Sequence, residues 1–114
     1  MRESTPRILT GFHTFTGAGY SAPQPLGVTY VVPGDRRAQM IYLRAGNSSE
    51  EMVTVVLTRD GAVMRLFPVG AKDAVHVPLA VVEDLSPDTK VELAVAAPSG
   101  ASGTLAVDFG LVEI

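Results

Sequence analysis

Two apolar runs, residues 52–58 and 62–67, stand on either side of a single Asp60-Gly61 pair. Asp and Gly both tolerate the positive φ that a two-residue primed turn demands, so the arrangement predicts a tight antiparallel hairpin. An isolated two-stranded ribbon is marginal in water, so such a hairpin needs further strands to cover its apolar side. The rest of the chain supplies them. Short runs at residues 7–10, 28–32, 38–45, 75–82, 91–96 and 104–109 are rich in Val, Leu, Ile and Thr, and the last could extend to Ile114. Between them lie turn-forming clusters such as Pro33-Gly34-Asp35, Gly46-Asn47-Ser48-Ser49 and Ser86-Pro87-Asp88. Closely spaced strands with turn signals between them are the layout of a sandwich or barrel. No window carries a helical period; the best, residues 79–85, follows Pro78 and reads equally well as strand and turn. The expected fold class is all-β, an antiparallel β-sandwich of about eight strands, jelly-roll or immunoglobulin-like. Residues 11–25, rich in Gly, Thr and Pro, read as a long loop.

A length of 114 residues is the common size of one domain, so residues 1–114 form a single unit with residues 1–6 as a flexible start. The chain has no cysteine, which excludes disulfides, thiolate chemistry and Cys-based zinc sites. Residues 1–7 carry no signal-peptide apolar stretch, and no run approaches the roughly 20 apolar residues that span a bilayer. These features read as cytoplasmic, with no membrane partner. A net charge of −3 and nine scattered Lys and Arg residues argue against nucleic acid, which is bound by clustered cations that displace counterions.

Hydrophobic residues make up 46% of the chain, and strand alternation shows where they go. Val53, Val55 and Leu57 share one face if extended, as do Val75, Val77, Leu79 and Val81, then Val91, Leu93 and Val95, then Leu105, Val107 and Phe109. The opposite faces are also apolar, at Met52 and Val56, at Ala74, Ala80 and Val82, and at Ala94 and Ala96. A free antiparallel sheet keeps polar residues on its solvent face. Met52, Val56, Ala80, Val82, Ala94 and Ala96 are therefore candidate interface residues, and the expected partners are further copies of this chain or another protein. The alternative is that the 11–25 loop lies over one of these faces.

Chemistry-bearing patterns are few. Gly17-Ala18-Gly19-Tyr20-Ser21-Ala22 matches a dinucleotide fingerprint, but that motif works by feeding a helix, and Pro23 and Pro25 follow at once. There is no nucleophile elbow, and Ser48-Ser49 after Asn47 is turn chemistry. The pairs Glu50-Glu51 and Glu83-Asp84 would point to opposite faces of a strand. No short ligand spacing joins His13 or His76 to carboxylates, so no metal and no cofactor is expected. The chain reads as a non-enzyme. For a small ligand, the candidate residues are Phe12, His13, Phe15 and Tyr20 in the 11–25 loop, with Arg44 and Asp108, charges that interrupt apolar strands and could pair across a shared sheet face.

Residues 41–47, with a following strand pair and the closing Gly103-Thr104-Leu105-Ala106-Val107-Asp108-Phe109, resemble the galactose-binding jelly rolls found in carbohydrate-binding modules. The likeness covers residues 38–114 and implies a sandwich that takes a carbohydrate-like ligand; those modules present Trp or several Tyr, whereas this chain has no Trp and three Tyr. Arg44-Ala45-Gly46-Asn47 and Phe67-Pro68-Val69-Gly70-Ala71-Lys72 also resemble small bacterial proteins linked to molybdopterin oxidoreductases, which implies an accessory subunit of a larger enzyme.

Overall fold

The computed structural model describes residues 3–79 and 83–114. Nine strands are formed among them: β1 (Thr5–Thr16), β2 (Gly19–Val31), β3 (Ala38–Asn47), β4 (Val53–Arg59), β5 (Ala62–Val69), β6 (Ala74–Pro78), β7 (Asp84–Leu85), β8 (Lys90–Ala97) and β9 (Ser102–Glu113). They make two antiparallel sheets, one ordered β1-β9-β3-β6 with β7 also on β3, the other ordered β2-β8-β4-β5. The pairing is nested: β1 with β9, β2 with β8, β3 with β6, β4 with β5. The chain is thus one long ribbon doubled back at the β4–β5 turn and rolled up, which is a jelly roll and not an immunoglobulin topology. At the doubling point Asp60 and Gly61 have φ of 49° and 86°, the positive values that their residue types permit.

The alternation read from sequence sets the core. Val53, Val55 and Leu57 on β4, Val91, Leu93 and Val95 on β8, and Leu105, Val107 and Phe109 on β9 are all buried between the sheets. Each such side chain contributes roughly 1.5–3 kcal/mol on burial. Val75 and Val77 are half-buried against them and Leu79 is buried.

Residues 11–25 are not a loop. Apart from Gly17 and Ala18 they form the end of β1 and the start of β2, because both are edge strands, where missing donors and irregular φ are tolerated. Among the described residues all five strand prolines, Pro6, Pro23, Pro25, Pro68 and Pro78, lie on the edge strands β1, β2, β5 and β6. In β2 the register shifts twice against β8, with Gly19 and Gly27 at positive φ. These bulges let a Pro-rich segment stay in the sheet.

A polar cluster gathers around one buried carboxylate at one end of the sandwich. Glu113 continues the inward series of Leu105 to Leu111 on β9 and is 3% exposed. It accepts hydrogen bonds from Tyr30 Oη at 2.5 Å and Arg7 Nε at 3.1 Å. These two bonds, Tyr30 first, hold its carboxyl below the usual range, and burial together with the same carboxylate pushes the Tyr30 hydroxyl up.

Candidate functional site

The outer face of the β1-β9-β3-β6 sheet is built from three cross-strand rows. Ile8, Gly110, Tyr42 and Pro78 lie in register in the first. The second is Thr10, Asp108, Arg44 and His76, and the third is Phe12, Ala106, Gly46 and Ala74. The third row has almost no side-chain bulk between its ends, so it forms the floor of a trough of about 540 Å³. Phe12, 82% exposed, stands at the β1 end as an apolar wall.

The second row gives the trough its polar side. Asp108 Oδ1 accepts from Tyr42 Oη at 2.9 Å, and its Oδ2 lies 3.8 Å from Arg44 Nη1. The bond to Asp108 raises the Tyr42 hydroxyl, since it favours the protonated phenol. The Tyr42 ring meets His76 edge-on at 5.9 Å between centroids. An exposed pair such as Arg44–Asp108 adds only about 0–1 kcal/mol to stability. The trough therefore offers an aromatic face, a guanidinium with spare donors, a carboxylate, an imidazole and the Thr10 hydroxyl, all on one sheet face.

Of the residues singled out from sequence, Phe12, Arg44 and Asp108 meet here. His13 does not: it lies opposite Leu105 on the inward parity of β1, at a second, smaller cavity with Leu9, Gly27 and Val28, between the edges of β1 and β2. Phe15, on the same parity, is buried in the core. Tyr20 belongs to the other sheet, where its hydroxyl donates to Met52 O at 2.7 Å, across the intervening β8. His76 and Thr10 complete the trough, with Tyr42 bonded to Asp108 from the neighbouring row, and none of the three was among the ligand-binding candidates; once Asp108 and Arg44 are placed opposite one another, their register neighbours follow.

The interface candidates divide. Met52 is exposed, but Val56 and Ala96, on the outer side of the β2-β8-β4-β5 sheet, are each 3% exposed within one protomer, so neither offers surface to a partner. Val56 lies in a row with Pro25, Ala94 and Leu66, and Ala94 is half-buried. Ala80 and Val82 lie outside the described residues. The Ser48 hydroxyl accepts from Thr104 N on β9, and that of Ser49 donates to Glu51 O within the connection between β3 and β4. Among the described residues no group of three or more His, Asp or Glu could hold a metal ion, and no helix is long and apolar enough to cross a membrane.

No family model matches the chain, and no curated protein matches it in sequence. Among solved structures it is similar to those of infectious bursal disease virus. The Gt strain structure aligns with a TM-score of 0.48 and 14% identity over 95% of this chain, and the Gx strain structure with 0.49 and 14% over 98%. The chain spans about a third of those proteins, 32% and 36% of their lengths. PirA aligns with a TM-score of 0.44 and 10% identity, over 96% of this chain and 94% of PirA.

Proposed function

We propose that the protein is a non-catalytic binding module whose ligand lies in the outer-face trough of the β1-β9-β3-β6 sheet. The observation that supports this reading is the convergence of Phe12, Arg44, Asp108, His76 and Thr10 around a floor of Gly46, Ala106 and Ala74. Concave sites with an apolar wall and a few convergent polar groups are where small ligands bind. The chemistry suits a ligand with one flat apolar face and several hydroxyl or carboxylate oxygens on its edge: the face rests on Phe12, and the oxygens meet Arg44, His76 and Thr10. A sugar or a uronic acid has that form, which is also what the resemblance to galactose-binding jelly rolls implies.

Gly46 provides the test. A methyl there would meet Ala106 and Ala74 Cβ at 3.9 Å, an ordinary contact, so Gly46→Ala keeps the fold. Gly46→Leu fills the floor. Neutral sugars, uronic acids, nucleotides and divalent cations are screened by thermal shift, because a compound that binds only the folded state raises its melting temperature. A sugar or uronic acid should give a shift of several degrees that survives Gly46→Ala and disappears in Gly46→Leu. A flat screen, or a shift indifferent to Gly46→Leu, removes the proposal.

A further inference from the structure

We infer that β1 is a docking edge for a second copy of this chain, which pairs with it antiparallel about a two-fold axis through Thr10 and joins two β1-β9-β3-β6 sheets into one. This inference shares Phe12 and Thr10 with the trough, but it does not depend on what the trough holds. It begins with the other edges. A free edge invites pairing, and native proteins blunt it with prolines, bulges or shortness. β2 carries Pro23, Pro25 and two register shifts; β5 carries Pro68 and a shift near Met64; β6 has five residues and ends on Pro78. β1 has 12 residues in unbroken register with β9, and its one proline is its second residue. Of the four edges, it alone is left open along its length among the described residues.

The ladder shows which groups face outward. Arg37 and Ile114 exchange both backbone bonds, N to O at 3.2 and 2.7 Å, so the even residues of β9 bond β3 and its odd residues bond β1. Gly17 N donating to Ala101 O at 2.6 Å, in the extension of the same register, agrees. Hence the odd residues of β1 are bonded to β9, while the N–H and C=O groups of Ile8, Thr10, Phe12 and Thr14 point away from the sheet. Pro6, which has no N–H, falls in the outward set.

Antiparallel pairing through these groups must oppose even residues to even residues. With the axis through Thr10, each Thr10 bonds its own copy, and Ile8 of each chain lies opposite Phe12 of the other. Ile8 and Phe12 are 59% and 82% exposed and sit on the outer face. The pairing covers both, and apolar cross-strand pairs of this kind favour a register. No charged residue lies between positions 8 and 12 to oppose it.

The same parity yields a clean variant. Thr10→Pro removes an outward N–H and leaves every β1–β9 bond intact, in a chain that already tolerates proline on each edge. The wild-type chain should show a dimer by light scattering at concentrations up to the millimolar range. The amides of Ile8, Thr10, Phe12 and Thr14 should gain protection from hydrogen exchange as concentration rises, with no change at Leu9 and Gly11. Thr10→Pro and Phe12→Lys should each weaken the dimer by about tenfold or more, as expected for loss of a reciprocal backbone bond pair or an apolar contact. Leu66→Lys, on the exposed face of the other sheet, should not. If Thr10→Pro fails to fold, Phe12→Lys and the exchange pattern decide. A monomer at millimolar concentration, unchanged protection at the even amides, or a dimer lost with Leu66→Lys but kept with Phe12→Lys overturns the inference.

Discussion

The Tyr42 ring occupies the space beside Gly110 that a Cβ on that residue would need. The two are direct cross-strand partners on β3 and β9, next to the bulge between Met40 and Tyr42. A bare glycine lets the ring lie down on the sheet, and from there its hydroxyl reaches Asp108 at 2.9 Å. The orientation of the trough's carboxylate thus depends on an absent side chain in the neighbouring row.

Gly110→Ala should therefore lift the Tyr42 ring and destabilise the protein by about 1–3 kcal/mol, the ordinary cost of overpacking. In a Tyr42→Ala background the same substitution should be nearly neutral. A double-mutant cycle in urea reads the difference, and additive effects would contradict the contact.

Glu113 makes stability depend on acid. Its carboxyl is held below its ordinary value by Tyr30 and then Arg7, so its contribution is complete above its unfolded value of about 4.3. That contribution is lost as pH falls through the lower folded value. Denaturation curves from pH 7 down to pH 2 should show a loss of stability below about pH 5 that is smaller in Glu113→Gln, which should also be the less stable protein at pH 7. An unchanged acid limb would mean that other carboxylates carry it.

The β4–β5 turn separates backbone conformation from contacts. Gly61 has φ of 86° with nothing near its absent Cβ, so Gly61→Ala should cost roughly 1–2 kcal/mol from the left-handed backbone alone. Asp60 also makes a contact, since its Oδ1 accepts from Lys90 N at 2.9 Å and ties the turn to β8. Asp60→Asn keeps that acceptor and the tolerance for positive φ, and should be close to neutral. Thermal denaturation of the two variants distinguishes the effects.

Asn47 is buried at the end of β3, where its Nδ2 donates to Glu51 O at 2.9 Å and Gly70 O at 3.0 Å and its Oδ1 accepts from Ser49 N at 2.9 Å. Asn47→Leu strands these backbone groups away from water, so the expected loss is about 3 kcal/mol. Asn47→Asp keeps only the acceptor and should fall between. Chemical denaturation gives the order, and an Asn47→Leu protein as stable as wild type would refute it.

Much of this fold is legible in the chain. Asp60-Gly61 marks the central turn, and the two-residue period of β4, β8 and β9 gives the inner face residue by residue. The edges are not, because propensity describes a central strand: Pro23, Pro25, Gly19 and Gly27 argue for a loop until the neighbour that would need their hydrogen bonds is known to be missing. For the site, the charges Arg44 and Asp108 are visible as interruptions of apolar runs, and their sharing a face follows from alternation. Applied to β1, the same alternation separates Phe12 from His13 and Phe15, but only once that segment is accepted as a strand. Val56 and Ala96 have the outward parity read from sequence; their covering depends on neighbours from other strands, which a one-dimensional pattern does not contain.

The nested pairing also decides how the molecule would yield to force. Thr5 and Glu113 lie side by side at one end of the β1–β9 ladder. Tension applied at these two residues would load the outermost rungs one pair at a time, peeling β1 from β9 like a zip instead of shearing the whole ladder at once. Rupture in an optical trap should then begin at low force from this corner, whereas the same chain gripped at Thr5 and Ser102 would meet the full length of the ladder and hold.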